Sequence, residues 1–262
     1  MPKNCSTFAS ELKTKTTNIM NSKNPIYPIY DEGNLHVSIS KGNQKLGNIP
    51  GFNTLAGNEP LTLKNGRMLT NIVGTCGSLC ELCKNKCYAM RFSVQHHNSV
   101  IPAYAKNTVI LRNDPQKLRA EINEYCKKNI VRYFRFHTSG ELESIEQLRL
   151  YAQICKDNDE VVFYIYTKAF ELLKQWFDEL SANGESVPEN FVINLSMWKN
   201  NVDEYLKDER FAKCNIFEYD EEKNSSFAHC PAIDKNGHET GVTCAMCRKC
   251  MRRGSKTAVY PH

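Results

Sequence analysis

Twelve consecutive positions, 76 to 87, hold four cysteines: Cys76, Cys80, Cys83 and Cys87. A second group lies near the end of the chain, where Cys230 is followed by Cys244, Cys247 and Cys250. Thiols at this density can pair as disulfides, hold zinc as thiolates, or ligate the irons of an iron–sulfur cluster. The number of ligands matters for the first group. Four thiolates on one cube would leave no iron open, which suits electron transfer or a structural role. Three would leave one iron free to chelate a small molecule.

The surrounding composition narrows these choices. The chain has 262 residues, 41% hydrophobic and 24% charged, and a net charge of +5, which predicts a globular protein and permits an anionic partner without demanding one. No apolar run is long enough to cross a bilayer, so no membrane partner is expected. The first twenty residues, "MPKNCSTFASELKTKTTNIM", lack the apolar centre of a secretion signal. The expected location is therefore cytoplasmic, where thiols stay reduced, and twelve cysteines then point to metal binding or redox chemistry. Cys5, Cys126, Cys155 and Cys214 are scattered, and Cys126 and Cys155 read as core thiols among apolar neighbours.

The elements that must position the clustered cysteines follow from periodicity. Residues 1–60 read as a loop-rich N-terminal extension around one short strand, "LHVSIS". Residues 61–220 read as an α/β unit carrying the first cysteine group. There "MLTNIVGT" is expected to be a strand running into the cysteine loop, and Asp114 and Pro115 open a helix over 115–129. Strands "VRYFRFH", "VVFYIYTK", "FVINLSMW" and "NIFEYD" then alternate with helices "SIEQLRLYAQICKDN" and "AFELLKQWFDELSAN". Such alternation implies right-handed crossovers and a parallel sheet. About six units suit an incomplete parallel (β/α) barrel, and a doubly wound sheet is the alternative. Residues 221–262 read as a small cysteine-rich metal module.

In that module C-x2-C-x2-C, with Cys230-Pro231 upstream, resembles the run that wraps a [4Fe–4S] cube in bacterial ferredoxins. Structural zinc more often takes two separated pairs and is the alternative. His229 and His238 read as exposed loop residues. At the front, Cys76, Cys80 and Cys83 have the C-x3-C-x2-C spacing of the radical S-adenosylmethionine (SAM) enzymes, which they resemble. The resemblance implies an oxidoreductase or transferase with an open [4Fe–4S] cluster, SAM, a second auxiliary cluster, and an electron donor such as flavodoxin or ferredoxin. It also implies that "YFRFHTSGEL" is the turn that holds SAM, with Glu141 on its ammonium and Ser139 and Gly140 shaping the turn, Ser139 standing where that family has a first glycine. Thr167, Lys168 and Ser196, at later strand ends, would meet its carboxylate, and His137 would face the reacting centre beside Glu141. The bland alternatives are a helix cap at Thr138 or Ser139 with Glu141 in the first turn, a solvated strand exit at Lys168, and a packed His137.

"LGNIPGFNTLAG", "CYAMR", "RFHTSGE", "YTK", "CPA" and the final cysteine triple, taken in order, resemble the phage and mobile-element gene product 88 family over residues 45–252. That family's pattern emphasises Cys76, Cys83 and Cys87, whereas the radical SAM spacing emphasises Cys76, Cys80 and Cys83. Tyr88 and Arg91 stand just beyond and could touch cluster sulfurs. The competing reading is a replication-associated protein that binds nucleic acid through Arg248, Lys249, Arg252, Arg253 and Lys256, with structural zinc or closed clusters. "QHH" at 95–97 lacks the His-x-His of a rolling-circle nuclease. "RYFRF" reads as a core strand with alternating faces.

Overall fold

The computed structural model describes residues 24–29, 34–77, 81–198 and 202–261. Among the described residues, seven strands form one sheet in chain order: β1 (Ile39–Ser40), β2 (Gly51–Phe52), β3 (Tyr133–Phe136), β4 (Val162–Thr167), β5 (Phe191–Met197), β6 (Asn215–Tyr219) and β7 (Lys256–Val259). β1 runs antiparallel to β2, and every later pairing is parallel. The sheet is open, with β1 and β7 at its edges. The architecture is thus mixed α/β, and each parallel strand adds to the same growing edge, as in one-way winding rather than the reversal of a doubly wound sheet.

Right-handed crossovers wound in one direction put their helices on one face. Those helices are α4 (Pro115–Lys128), α5 (Ile145–Asp157) and α6 (Phe170–Ala182). Phe134, Phe136, Phe163, Ile165, Phe191 and Ile193 share one core with Leu118, Ile122, Leu148, Tyr151, Leu173 and Trp176. The other face of β3 to β5 carries Tyr133, Tyr164, Tyr166 and Val192, covered by Leu46, Ile49, Ala245 and Met251 from the two ends of the chain. "RYFRF" does alternate: its phenylalanines face the helices while Tyr133 and Arg135 face the other way. Cys126 and Cys155 are buried in the main core, where desolvation pushes the Cys126 thiol up to about 11.

The helix signals operate as the sequence implies. The Asp114 side chain accepts from Lys117 N at 3.0 Å, ahead of Pro115 at the first helical position. Ser144 Oγ accepts from Gln147 N at 3.2 Å and starts α5. Arg119 then ties α4 to α5 through two bonds to Asp157, at 2.6 and 2.9 Å.

Three segments differ from expectation. "MLTNIVGT" forms no ladder, only a single bridge between Met68 and Thr62. Its end is bound elsewhere, with Thr75 N donating to Leu55 O and Cys76 N to Gly57 O, at 2.9 and 3.0 Å. The parallel strand nearest before the cysteine loop is Gly51–Phe52, within the stretch read as an extension. "LHVSIS" contributes two residues to the sheet, while the tail supplies β7. α1 (Glu81–Lys86) lies within the first cysteine group and carries Cys83, α2 (Tyr88–Gln95) and α3 (His97–Asn113) lie between that group and α4, and the short α7 (Val202–Tyr205), α8 (Glu209–Ala212) and α9 (Cys244–Cys247) follow later. None of the described helices is long and apolar enough to cross a membrane.

Candidate functional site

A cavity of about 430 Å³ opens on the sheet face away from the helices. Cys76, Cys83 and Cys87 line one part of it, and Cys230, Cys244, Cys247 and Cys250 line another. Cys80 lies outside the described residues. Of the strand-end residues singled out in the sequence, His137, Ser139, Gly140, Glu141, Lys168 and Ser196 line the same cavity. Thr167 does not, but it bonds to Glu141 from behind.

The turn after β3 is built by close contact with the segment after β2. Asn53 Oδ1 accepts from Thr138 N and Ser139 N, at 2.7 and 3.2 Å. Gly140 has φ +89, and a Cβ there would stand 1.9 Å from Thr54 Oγ1, so only glycine fits. Thr75 Oγ1 accepts from Glu141 N at 2.9 Å and bonds to Thr54 Oγ1 at 2.8 Å. Thr75 immediately precedes Cys76, so one hydroxyl couples the turn to the first thiol. Since α5 begins at Ile145 on the Ser144 cap, residues 138–141 are not a helix cap.

Glu141 is buried, and burial raises its pKa while Lys168 and the hydrogen bonds oppose that rise. Its carboxylate accepts from Thr167 Oγ1 (2.7 Å), Leu142 N (2.9 Å) and Lys168 N (2.9 Å). A carboxylate offers about four acceptor positions, so roughly one remains for the cavity. His137 is buried too, with both ring nitrogens engaged. Tyr151 Oη and Gln147 Nε2 lie 2.8 and 2.7 Å from its Nε2, while Ser139 O and Thr54 Oγ1 lie 3.3 and 3.2 Å from its Nδ1. Gln147 donates, so Nε2 accepts and Nδ1 carries the proton. Desolvation lowers the His137 pKa to about 4, and the ring is a neutral support for the turn.

The front thiols differ in setting. Cys76 is buried, and desolvation pushes its thiol up to about 12. Cys87 Sγ caps α2 by accepting from Met90 N at 3.4 Å. The rear thiols are placed by three elements. Cys230 N donates to Ala258 O beside β7 at 2.7 Å. Cys244 N and Ala245 N, in α9, donate to Lys45 O and Leu46 O of the loop before β2. Cys250, in a 3-10 turn over Lys249–Met251, has its carbonyl held by Asn194 Nδ2 and Asn215 Nδ2, at 3.1 and 3.4 Å. Burial raises the Cys250 thiol to about 11, with Cys230, Cys244 and Cys247 near enough to add to the rise.

Arg135, Tyr164, Tyr166 and Trp198 line the cavity without having been marked in the sequence, beside Tyr88 and Lys168, which were. Arg135 projects from β3 with its guanidinium 4.6 Å from the Tyr166 ring centre, and Tyr88 donates to Thr138 O at 2.5 Å. Lys168 Nζ stands 4.5 Å over the Trp198 ring, which stacks on Tyr219. Among the described residues, Lys45, Arg135, Lys168, Arg248 and Lys249 line the cavity against one carboxylate, Glu141. The sequence signal available was an arginine on the polar side of an otherwise apolar strand. His229 is not the exposed loop residue expected: it is partly buried, its Nε2 bonds Asp220 at 2.8 Å and its ring stacks on Tyr260. The basic tail divides. Arg248 and Lys249 face the cavity, whereas Arg253 donates to the carbonyls of Val187, Pro188 and Glu189.

Among the described residues, no three His, Cys, Asp or Glu side chains converge around one point as ligands of a single ion do. Four thiolates on one zinc stand about 3.8 Å apart, as Zn–S bonds of about 2.3 Å require. The candidate donors around the cavity are thiols, with Lys45, Arg135, Lys168, Arg248 and Lys249 beside them. The model of the gene product 88 family matches residues 37–256. No curated protein and no solved structure matches the chain.

Proposed function

The chain belongs to the gene product 88 family, and we propose that it is an iron–sulfur enzyme of radical SAM type, with its two cysteine groups serving one cavity. The observation that carries this reading is that thiols from positions 76–87 and 230–250 line the same space as Glu141 and Lys168. When bound, a [4Fe–4S] cube with one open iron would supply the electron that cleaves the sulfonium of SAM. The chain's own residues supply the rest. Cys76, Cys83 and either Cys80 or Cys87 would hold the front cube, and Cys230, Cys244, Cys247 and Cys250 a second. Glu141 has an acceptor position free for an ammonium, and the buried Ser139 Oγ has no partner among the described residues. Lys168, stacked over Trp198, is placed for a carboxylate. The one-way winding of β2 to β7 supports a partial-barrel reading, and the candidate groups lie at strand ends, where a barrel enzyme would carry its site. A flavodoxin- or ferredoxin-type donor would reduce the cluster.

Protein prepared without oxygen should be brown and carry about eight irons per chain, two cubes' worth. With dithionite and SAM it should release 5′-deoxyadenosine, and Glu141→Gln should keep its iron while losing most of that release. Intact clusters without SAM cleavage would remove the enzymatic reading. Colourless protein with stoichiometric zinc would replace it with a structural-metal protein that holds nucleic acid.

A further inference from the structure

Besides Ser139 Oγ, two buried polar atoms on the cavity face have no partner among the described residues: the Tyr164 hydroxyl and the Arg135 Nε. Their residues are directly opposed in the parallel register of β3 and β4, and both line the cavity. Leaving such donors unpaired costs about 1–3 kcal/mol for a neutral group and more for a charged one. Native structures leave few, so each implies an acceptor the chain itself does not provide. The position of that acceptor can be read from the neighbours. Tyr164 packs with Cys244, Ala245 and Met251. The adjacent Tyr166 hydroxyl lies within hydrogen-bonding reach of the Cys250 thiol. The Cys250 carbonyl already takes two amide donors and does not need another.

We propose that Tyr164 Oη–H and Arg135 Nε–H are hydrogen-bond donors to the iron–sulfur centre held by Cys230, Cys244, Cys247 and Cys250, and that they set its reduction potential. This rests on the iron–sulfur reading above. Bridging sulfides of such a centre are anionic acceptors, and donors to them favour the more negative, reduced state. Arg135 is suited to the task because its guanidinium keeps its charge and holds the Nε–H in a fixed plane, which a lysine cannot do.

The test is a redox titration of the full chain carrying Cys83→Ala, followed by electron paramagnetic resonance so that the rear centre is read alone. Tyr164→Phe and Arg135→Lys should each shift the centre toward the oxidised form at fixed potential. Together they should do so about tenfold, equivalent to about 59 mV for a one-electron couple. Tyr133→Phe, on the same face but outside the cavity lining, should leave the potential unchanged. Unmoved potentials with full iron would overturn the assignment and leave the iron–sulfur reading standing, whereas absence of iron from the wild type would sink both. If the variants lose iron, exchangeable-proton hyperfine couplings in the unsubstituted rear centre answer the question directly: their presence supports the donors, and their absence overturns them.

Discussion

His137 occupies the place of a catalytic base, at the C-terminal end of a parallel strand and on the wall of a cavity rich in thiols. Its bonds assign it a different task. With Tyr151 and Gln147 on one nitrogen and Ser139 O and Thr54 on the other, it is a neutral strut at φ +56 that holds the turn carrying Glu141. The pH dependence follows from burial. Its pKa falls from 6.5 to about 4 in the folded state, so between those values the unfolded chain binds a proton that the folded chain does not. Stability from this group is complete above about pH 6.5 and is lost as pH falls toward 4, by up to about 3 kcal/mol. Chemical denaturation across that range should show the wild type losing its advantage over His137→Gln as pH falls, with the difference flat below pH 4. A difference independent of pH would mean that His137 is protonated in the native protein.

At the scale of elements, β5 is the bridge between core and site. Its Phe191, Ile193 and Leu195 lie in the helix-side core, while Asn194 reaches across the other face. Asn194 Nδ2 donates to Ile165 O at 3.0 Å and Cys250 O at 3.1 Å, and its Oδ1 accepts from Asn215 at 3.1 Å. Asn194→Ala removes both donors from a fully buried position and should cost about 2–3 kcal/mol, lowering Tm by about 5–10 °C. It should also deplete iron, because the turn bearing Cys250 loses an anchor. Unchanged melting and iron content would show that the turn holds itself. Much of this architecture was legible in the sequence. The residues of β3 to β6 and α4 to α6 carry unambiguous apolar periods, and α4 announces itself through Asp114 and Pro115. β2 has two residues, too few to show a period. α3 has Pro102 inside it and buries Asn107 and Thr108 with Ile110 and Leu111, so no apolar stripe marks it. The resemblance to radical SAM enzymes, read at the strand ends, singled out His137, Ser139, Gly140, Glu141, Lys168 and Ser196, and these line the cavity. Arg135 and Tyr164 escaped because they sit inside strands, where side chains are expected to pack rather than act.

For the molecule as a whole, one-way winding leaves the second sheet face without helices of its own. The two chain ends cover it: the loop over 43–50 and the segment over 229–251, bonded to each other through Lys45 O and Leu46 O. Gly47 marks how closely they meet, since a Cβ there would stand 2.7 Å from the Ala245 Cβ. This cover has little apolar material. Among residues 229–251 the buried apolar side chains are Ala232, Ile233 and Met251. Burial holds the Cys230, Cys244 and Cys250 thiols above their ordinary pKa, so without metal they are neutral and contribute only as small apolar groups. Ligation would deprotonate them and join three separate elements through one centre, and the free energy of binding would become free energy of folding for this segment. Removing metal by chelation should therefore open residues 229–251 to protease and to amide exchange, while β3 to β5, buried on both faces, stay protected. The helix-side core needs no metal, so far-ultraviolet circular dichroism should change little. Equal protection of residues 229–251 with and without metal would show that packing alone holds the cover in place, and the case for a centre built into the fold at that end would be lost.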